Sequence, residues 1–241
     1  MKNYNEFISH IDQIEGWLTD KEAVQLFALA KKCTGDGIIV EIGSWKGKST
    51  ICLAKGSQQS NGVKIYAVDP HQETFTHKNW STGQSTLDQF RENIKKSNLD
   101  ELVVPIVKTS RDAANDIDKP VELIFIDGNH QYEAVREDLQ RWFPKVKDGG
   151  IMAFHDTTDY DGPRRVVSEF VFRSKYFKHI HCIDSITFGQ KTRQNSLFDR
   201  FRNRYLLCMQ NLCIFMSKPW MPKPIRKLTK KIRRLLQPII I

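Results

Sequence analysis

Short apolar runs alternate with amphipathic segments along the first 190 residues of the chain. Seven runs have the length and composition of strands: 37–43, 63–68, 102–107, 121–126, 149–154, 178–183 and 185–189. Between them, apolar residues at helical spacing predict helices at 19–35, 45–57, 87–97, 111–117, 130–143 and 164–173. This alternation, at a spacing of roughly 25 residues, predicts an α/β fold with a doubly wound, mostly parallel, seven-stranded sheet.

Local signals refine this assignment and divide the chain. Thr19 and Glu22 have the spacing of a capping box that starts the first helix. Pro105 has no amide hydrogen to donate, so its strand is predicted to contain a bulge or an irregular segment. The polar stretch at 70–84 follows the end of a strand, where insertions help to build a ligand cleft. We predict an N-terminal helical cap over 1–35, a central α/β domain over 36–190 and a basic amphipathic extension over 191–241.

The positive charge of the chain is concentrated at its C-terminal end. The chain has a net charge of +9, but residues 1–190 carry 24 Lys and Arg against 27 Asp and Glu. Residues 191–241 carry 13 basic residues against Asp199 alone. A nucleic-acid surface across the whole domain is therefore not predicted. With no signal peptide, no apolar run long enough to span a bilayer, and five scattered cysteines, a cytoplasmic protein is expected.

The basic extension contains a predicted amphipathic helix at 223–237. Its apolar residues fall on one narrow face: Ile225, Leu228, Ile232 and Leu235. Its basic residues fall on the opposite face: Arg226, Lys227, Lys230, Lys231, Arg233 and Arg234. With Trp220 as an interfacial anchor, residues 220–238 are predicted to contact an anionic membrane, at its inner face. Docking on the domain or on a second subunit of a homo-oligomer remains open, and nucleic acid is the least favoured partner.

The segment from Glu41 to Thr50 is a strand-to-helix turn with two glycines. The last four residues of this turn, from Gly47 to Thr50, resemble the end of a P-loop. Residues 121–127 resemble the strand of P-loop proteins whose final Asp holds Mg²⁺. However, three residues separate the glycines where a P-loop needs four. A dinucleotide fingerprint would need a glycine where Trp45 stands. In both alternatives Glu41 would lie unfavourably close to a phosphate.

S-adenosylmethionine is a third ligand that this turn could bind. It carries a sulfonium and an ammonium group, so a carboxylate at Glu41 is favourable. Asp69 ends the next strand, where its two oxygens could accept hydrogen bonds from the ribose hydroxyls. Ser110 ends the third strand, where the edge of the adenine would pass.

The order of four motifs makes this third interpretation specific. They are Glu41 to Ser49 (E-I-G-x-x-x-G-x-S), Val68-Asp69, Ile126 to Leu139 (I-D-G-x-H-x-Y-x-x-V-x-x-D-L), and Gly149 to Asp156. In this respect residues 38–190 resemble a Rossmann-like class I S-adenosylmethionine-dependent methyltransferase, of the bacterial branch similar to small-molecule and sugar O-methyltransferases. The resemblance implies S-adenosylmethionine as methyl donor. The predicted cofactor-binding residues are Glu41, Gly43, Gly47, Ser49, Asp69, Ser110 and Asp127.

The resemblance also implies residues for the chemistry. Related O-methyltransferases hold Mg²⁺ at the ends of the fourth and fifth strands, which implies Asp127, His155 and Asp156 as ligands. Their acidic or amide pair is here His155-Asp156, and this departure puts tight Mg²⁺ binding in doubt because Mg²⁺ prefers oxygen ligands. His130 occupies the position of the general base in metal-dependent relatives, and imidazole is suited to take a hydroxyl proton near neutrality.

The acceptor is predicted only as a class. Relatives act on hydroxyl groups of sugars and other small polar molecules, so a small-molecule or glycan acceptor is expected. Phe75, His77 and Trp80 could line its pocket. The alternative is a non-catalytic protein of the same fold that acts through its basic tail, at a membrane or in an assembly.

Overall fold

The computed structural model describes residues 4–72, 85–225 and 227–229. Its helices are α1 (Tyr4–Asp12), α2 (Asp20–Lys31), α3 (Lys48–Gln58), α4 (Thr86–Lys96), α5 (Ser110–Asp116), α6 (Tyr132–Trp142), α7 (Asp161–Val166) and α8 (Leu197–Met216). Its strands are β1 (Ile38–Ile42), β2 (Ile65–Val68), β3 (Val103–Ile106), β4 (Val121–Ile126), β5 (Val146–Phe154), β6 (Phe177–Ile183) and β7 (Ile186–Lys191). A π-helical segment (Val167–Phe172) continues α7.

The strands form one seven-stranded sheet in the order β3-β2-β1-β4-β5-β7-β6. Strands β1 to β5 are parallel to one another, β7 is antiparallel to β5, and β6 is antiparallel to β7. The predicted mostly parallel, seven-stranded α/β sheet is therefore confirmed. Every residue of the central strands β1 and β4 is buried, as their continuous apolar sequences indicate.

Two apolar clusters cover the two faces of the sheet. Helices α1 to α4 contribute to the first cluster, in which Leu26, Leu53 and Phe90 are almost fully buried. Helices α5 to α7 contribute to the second, in which Val135 and Trp142 are buried. The sheet thus has helices on both faces, which confirms the doubly wound architecture.

Local sequence signals set several element boundaries. The predicted capping box is present, because the Thr19 hydroxyl accepts from the Glu22 amide and the Glu22 carboxylate accepts from the Thr19 amide. The prediction for Pro105 is wrong, since β3 pairs with β2 in unbroken register. Strand β3 lies at the edge of the sheet, where no described strand pairs with its outer side and a missing amide hydrogen is tolerated.

Other differences from the predicted elements lie near the chain ends. Neither α1 nor α8 was predicted as an individual helix, yet both are regular helices. Of the predicted helix at 223–237, residues 223–225 and 227–229 are helical, and the rest lies outside the described residues. Phe75, His77 and Trp80 also lie outside them. Among the described helices, none combines the length and apolarity needed to cross a bilayer.

Candidate active site

The carboxyl ends of β1, β4 and β5 meet at one edge of the sheet. Hydrogen bonding continues past the strand ends, since the Asp127 amide donates to the Ile42 carbonyl (2.8 Å) and the His155 amide donates to the Ile126 carbonyl (3.0 Å). The Gly43 amide likewise donates to the Val68 carbonyl (2.9 Å). This ladder fixes the glycine turn, Asp127 and His155 side by side.

Gly43 allows the turn after β1 to lie directly against the end of β4. Its φ of +87° lies in the left-handed region, and a Cβ there would be 2.2 Å from the Asp127 carbonyl oxygen. Only glycine fits such an approach without displacing the backbone. Gly47 precedes α3 with a φ of +89°. The two predicted glycines therefore bring the turn against Asp127 and start the helix that follows it.

Asp69 ties the end of β2 to this turn. Its Oδ2 accepts a hydrogen bond from the Trp45 amide (2.8 Å), and its Oδ1 accepts one from the His71 amide (2.7 Å). The side chain is 16% exposed. A carboxylate oxygen can accept more than one hydrogen bond, so Oδ1 and Oδ2 of Asp69 can each accept a further one from a hydroxyl group of a ligand.

Glu41 lies beneath the turn and is completely buried. The Thr50 hydroxyl donates to its Oε2, while its Oε1 has no hydrogen-bond partner among the described residues. Burial raises the pKa of Glu41 to about 8, although hydrogen bonds from Ser49 and Thr50 oppose that increase. An unpaired buried acceptor of this kind is unusual in a folded protein, and a bound donor would satisfy it.

Ser110 begins α5 and is half-buried. Its hydroxyl accepts a hydrogen bond from the indole nitrogen of Trp142 (2.9 Å), which joins α5 to α6. The predicted adenine contact of Ser110 stays a prediction.

A cluster of three side chains lies at the ends of β4 and β5. The Nε2 atom of His130 is 3.2 Å from Asp156 Oδ2 and 3.8 Å from Asp127 Oδ1. These side chains are partly accessible, with exposures of 32% for His130, 22% for Asp127 and 18% for Asp156. His130 also contacts the Tyr160 ring, with 4.2 Å between ring centroids. The cluster is thus open to a ligand on one side.

His155 lies behind this cluster, between carboxylates on both sides of its ring. Its Nδ1 is 3.2 Å from Asp127 Oδ1 and 3.5 Å from Asp156 Oδ2, and its Nε2 is 3.6 Å from Glu22 Oε2. Burial by itself lowers the pKa of His155, but these carboxylates outweigh it and raise the pKa to about 12. The surrounding carboxylates therefore favour the protonated form of His155.

The carboxylates around His155 respond in the opposite sense. Burial raises the pKa of Glu22, but His155 and the hydroxyl of Ser185 outweigh it and lower the pKa to about 2. The pKa of Asp127 is also lowered, because the nearby His155 and His130 overcome the effect of burial. Both carboxylates are accordingly charged at neutral pH.

The donor set of the three-residue cluster fits a divalent cation. One ligand atom each from Asp127, His130 and Asp156 lies within 4.8 Å of the other two. Among the described residues, His130 Nε2 has no aligned hydrogen-bond partner, and the same holds for both ring nitrogens of His155. Two carboxylates suit Mg²⁺, and an added imidazole also suits Mn²⁺ or Fe²⁺. The structure brings His130 into this group, whereas the predicted ligand His155 has both ring nitrogens facing carboxylates.

Sequence reasoning missed two residues of this region. Glu22 was identified only as part of a capping box, yet it also accepts from the Ser185 amide (2.8 Å) and hydroxyl (2.7 Å) and faces His155. Tyr160 was not singled out at all. No local sequence pattern reveals either contact, because both join segments that are distant along the chain.

A parallel sheet in the order seen here, with a glycine turn and acidic residues at its carboxyl edge, defines the class I methyltransferase fold. In agreement, residues 40–157 match the model of a family described as "Methyltransferase domain". Residues 40–157, just under half of the chain, therefore resemble a class I S-adenosylmethionine-dependent methyltransferase, and the predicted resemblance is confirmed.

Solved structures agree with the fold. The O-methyltransferase TomG from Streptomyces achromogenes, determined with S-adenosylmethionine, is 16% identical with a TM-score of 0.55, over 79% of this chain and 88% of that chain. An O-methyltransferase from Bacillus cereus, in complex with S-adenosylhomocysteine, is 17% identical with a TM-score of 0.56, over 79% and 91% of the two chains. At these identities the similarity establishes the fold alone.

The names of the curated relatives state no activity. Uncharacterized protein R132 of Acanthamoeba polyphaga mimivirus is 29% identical over 125 residues, which are 50% of this chain and 52% of that protein. Uncharacterized protein y4gI of Sinorhizobium fredii is 28% identical over 130 residues, which are 49% of this chain. The chain thus spans about half the length of the first relative and 13% of the second.

Proposed function

We propose that the protein transfers a methyl group from S-adenosylmethionine to a hydroxyl group of a sugar or another small polar acceptor. One observation carries this proposal: the cluster of Asp127, His130 and Asp156 lies directly against the glycine turn, with Gly43 packed on the Asp127 backbone. A methyl donor held by the turn would therefore lie beside groups that can take a proton.

The donor would bind along the turn and the end of β2. The carboxylate oxygens of Asp69 would accept hydrogen bonds from the ribose hydroxyls of the donor. The unpaired Oε1 of Glu41 would accept a hydrogen bond from the donor's ammonium group, or from a water molecule bound to that group. Gly43, Gly47 and Ser49 would form the backbone of this site. The solved relatives TomG and the Bacillus cereus enzyme, which carry S-adenosylmethionine and its product, support this donor.

His130 is proposed as the general base. In the reaction, the acceptor oxygen forms a bond to the methyl carbon as the bond from that carbon to sulfur breaks, and S-adenosylhomocysteine leaves. The hydroxyl proton would pass to Nε2 of His130, where Asp156 at 3.2 Å stabilises the resulting imidazolium. Alignment of oxygen, carbon and sulfur contributes much of the rate enhancement, since the reactants are held together on binding.

Mg²⁺ is proposed to bind Asp127 and Asp156, with His130 left free as the base. When bound, the ion would stabilise negative charge on the acceptor oxygen. We do not include His155 in this ligand set, because its ring nitrogens face Glu22, Asp127 and Asp156. From behind the cluster, a protonated His155 would hold the carboxylates of Asp127 and Asp156 in position.

Calorimetric titration tests the donor. Binding of S-adenosylmethionine in the micromolar range, without binding of ATP or NAD, is expected. A clear ATP signal with no response to S-adenosylmethionine would contradict the proposal and favour the P-loop interpretation. Methyl transfer is then measured with labelled donor and a panel of sugar nucleotides, aminoglycosides and catechols. Methylation of nitrogen or carbon, and not oxygen, would overturn the acceptor class.

Replacement of His130 by alanine tests the base. Loss of a general base is expected to lower turnover about 10²- to 10⁴-fold, with donor affinity nearly unchanged. His179→Asn provides a matched control, because His179 is an exposed histidine on strand β6 with a φ of +49°, a conformation that asparagine also adopts. Turnover at the wild-type rate in His130→Ala would remove the base assignment.

A further inference from the structure

Helix α8 exposes an unusually apolar face to solvent. The exposed fractions are 69% for Leu197, 75% for Phe198, 75% for Phe201, 59% for Tyr205, 46% for Leu212 and 47% for Phe215. Cys208 is exposed between them. At 100° per residue from Leu197, all these residues fall within an arc of about 100° along the helix. Single exposed apolar residues are common, but a continuous stripe over a 20-residue helix indicates a binding surface.

The opposite face of α8 anchors it to the domain. Asn203 is fully buried and donates to the Phe177 carbonyl in β6 (3.1 Å). Leu207 and Cys213 are each 7% exposed. Measured in the same way, these residues fall between about 160° and 280°. The aromatic stripe therefore points away from the domain and is held in that orientation by packing on the other side.

Two arginines border the stripe on one side. Arg200 and Arg204 fall at about 300° and 340° on the same helical wheel, whereas Arg202 falls at about 140° and its Nη1 atom is buried. Asp199 caps the helix N-terminus by accepting from the Ser196 amide (3.0 Å) and lies at about 200°, on the domain side. Trp220 extends the apolar surface, since it is 62% exposed and its ring lies 5.1 Å from that of Phe215. Long basic side chains beside an apolar arc can reach polar headgroups while the arc is buried.

Charge distinguishes between the partners that could cover this stripe. The segment that contains α8, residues 191–241, has 13 basic residues and a single acidic one, for a net charge of +12. A second copy of the chain that docked through the same segment would bring an equal positive charge against it, which opposes symmetric association. An anionic surface complements that charge and also accepts aromatic side chains.

We propose that α8 is a membrane-surface helix, which lies in the plane of an anionic lipid bilayer with Phe198, Phe201, Tyr205, Leu212 and Phe215 inserted at the headgroup level. The sequence-based expectation placed membrane contact in residues 220–238. Our proposal extends that expectation to α8, a helix that packs on the domain. This surface is independent of the proposed reaction, so the membrane test and the donor-binding test can fail separately.

Vesicle flotation of the full chain tests the proposal. We compare vesicles of phosphatidylglycerol and phosphatidylcholine with vesicles of phosphatidylcholine alone, using wild type, Phe198→Ser/Phe201→Ser and Val107→Ser. Val107 is a matched control because it is 47% exposed but lies outside α8. We expect wild type and Val107→Ser to float only with the anionic vesicles and the double variant to lose at least about five-fold in bound fraction. Unchanged thermal unfolding would show that the double variant folds.

A fluorophore on Cys208 gives a direct readout from the stripe. Cys208 is exposed, so an environment-sensitive maleimide should attach there, and its emission should shift to the blue with anionic vesicles. The same dye on Glu133→Cys, in a Cys208→Ser background, should not shift, because Glu133 lies on α6 and is 77% exposed.

Four results would overturn the proposal. They are no flotation of wild type on anionic vesicles, equal flotation of wild type on neutral vesicles, wild-type flotation of the double variant, and no emission shift at Cys208. A wild-type dimer in light scattering that the double variant abolishes would assign the stripe to a second copy. If the wild type bound an acidic protein but not anionic vesicles, the α8 stripe would be assigned to a protein partner.

Discussion

Replacement of Glu22 by glutamine removes one negative charge from the buried network around His155. Glutamine has almost the same shape, so its side-chain oxygen can still accept from the amide and hydroxyl of Ser185. Its NH₂ group, however, would face the Thr19 amide and the His155 imidazolium, which are both donors. The variant therefore tests the charge of Glu22 more than its volume.

The expected loss of stability follows from the geometry. Breaking a buried ion pair costs roughly 3–5 kcal/mol when the remaining charge has no other partner. His155 keeps Asp127 at 3.2 Å and Asp156 at 3.5 Å, so the lower end of that range applies. We expect the free energy of unfolding to fall by about 3 kcal/mol. For a chain of this size, that corresponds to a decrease in Tm of roughly 6–12 °C.

The pH dependence has a defined sign. The pKa of Glu22 is about 2 in the folded protein, below its ordinary value of 4.5, so its stabilisation is complete above pH 4.5 and is lost as pH falls toward 2. The pKa of His155 is about 12, above its ordinary value of 6.5, so its stabilisation is complete below pH 6.5 and declines as pH rises toward 12. Both contributions are complete between pH 4.5 and 6.5.

Urea denaturation at pH 5.5 and pH 3.5 measures this difference. We expect the stability gap between wild type and Glu22→Gln to be about 1 kcal/mol smaller at pH 3.5. Glu133→Gln serves as control, because that side chain is 77% exposed and its replacement should change stability by less than about 0.5 kcal/mol. If Glu22→Gln behaves like the control at pH 5.5, the charged network around His155 does not stabilise the protein as we infer.

Two further predictions concern the turn and the metal. Gly43→Ala should lose at least about 2 kcal/mol more stability in urea than Gly62→Ala, because both have positive φ but only a Cβ at Gly43 meets a backbone oxygen, at 2.2 Å. Equal losses would show that the close approach to Asp127 is unimportant. Mg²⁺ or Mn²⁺ at 100 times its Kd should stabilise the wild type by about 2.7 kcal/mol, and Asp156→Asn should abolish that shift. A shift that persists in Asp156→Asn would exclude Asp156 as a ligand.

The central part of the fold could be predicted because its signals are local. Buried strands such as β1 and β4 are continuous apolar runs, and the capping box of Thr19 and Glu22 occupies four consecutive residues. Pro105 misled the prediction, because the sequence does not show whether a strand lies at the edge of a sheet. Helix α8 was not predicted, although Ser196 and Asp199 form a capping box at its start and its apolar residues recur at helical spacing. The sequence could not show that this apolar face points to solvent, because a helix of a globular domain is expected to bury it.

The candidate site was predictable in part. The sequence placed Asp69, Asp127 and Asp156 at strand ends, and parallel strands bring their carboxyl ends to one edge of the sheet. The cluster geometry was not predictable, since the orientation of His130 depends on packing against Tyr160 and on the left-handed conformation of Asp156 (φ +57°).

The sequence by itself determined the order of strands and helices, the glycines of the turn and the residue types at the strand ends. These features depend on neighbouring residues and on the periodicity of regular secondary structure. The tertiary structure decided the charge of His155 and the exposure of the α8 stripe. Both depend on contacts between distant segments: Glu22 meets His155 only after α2 packs beside β5, and Phe201 faces solvent because Asn203 holds α8 to β6.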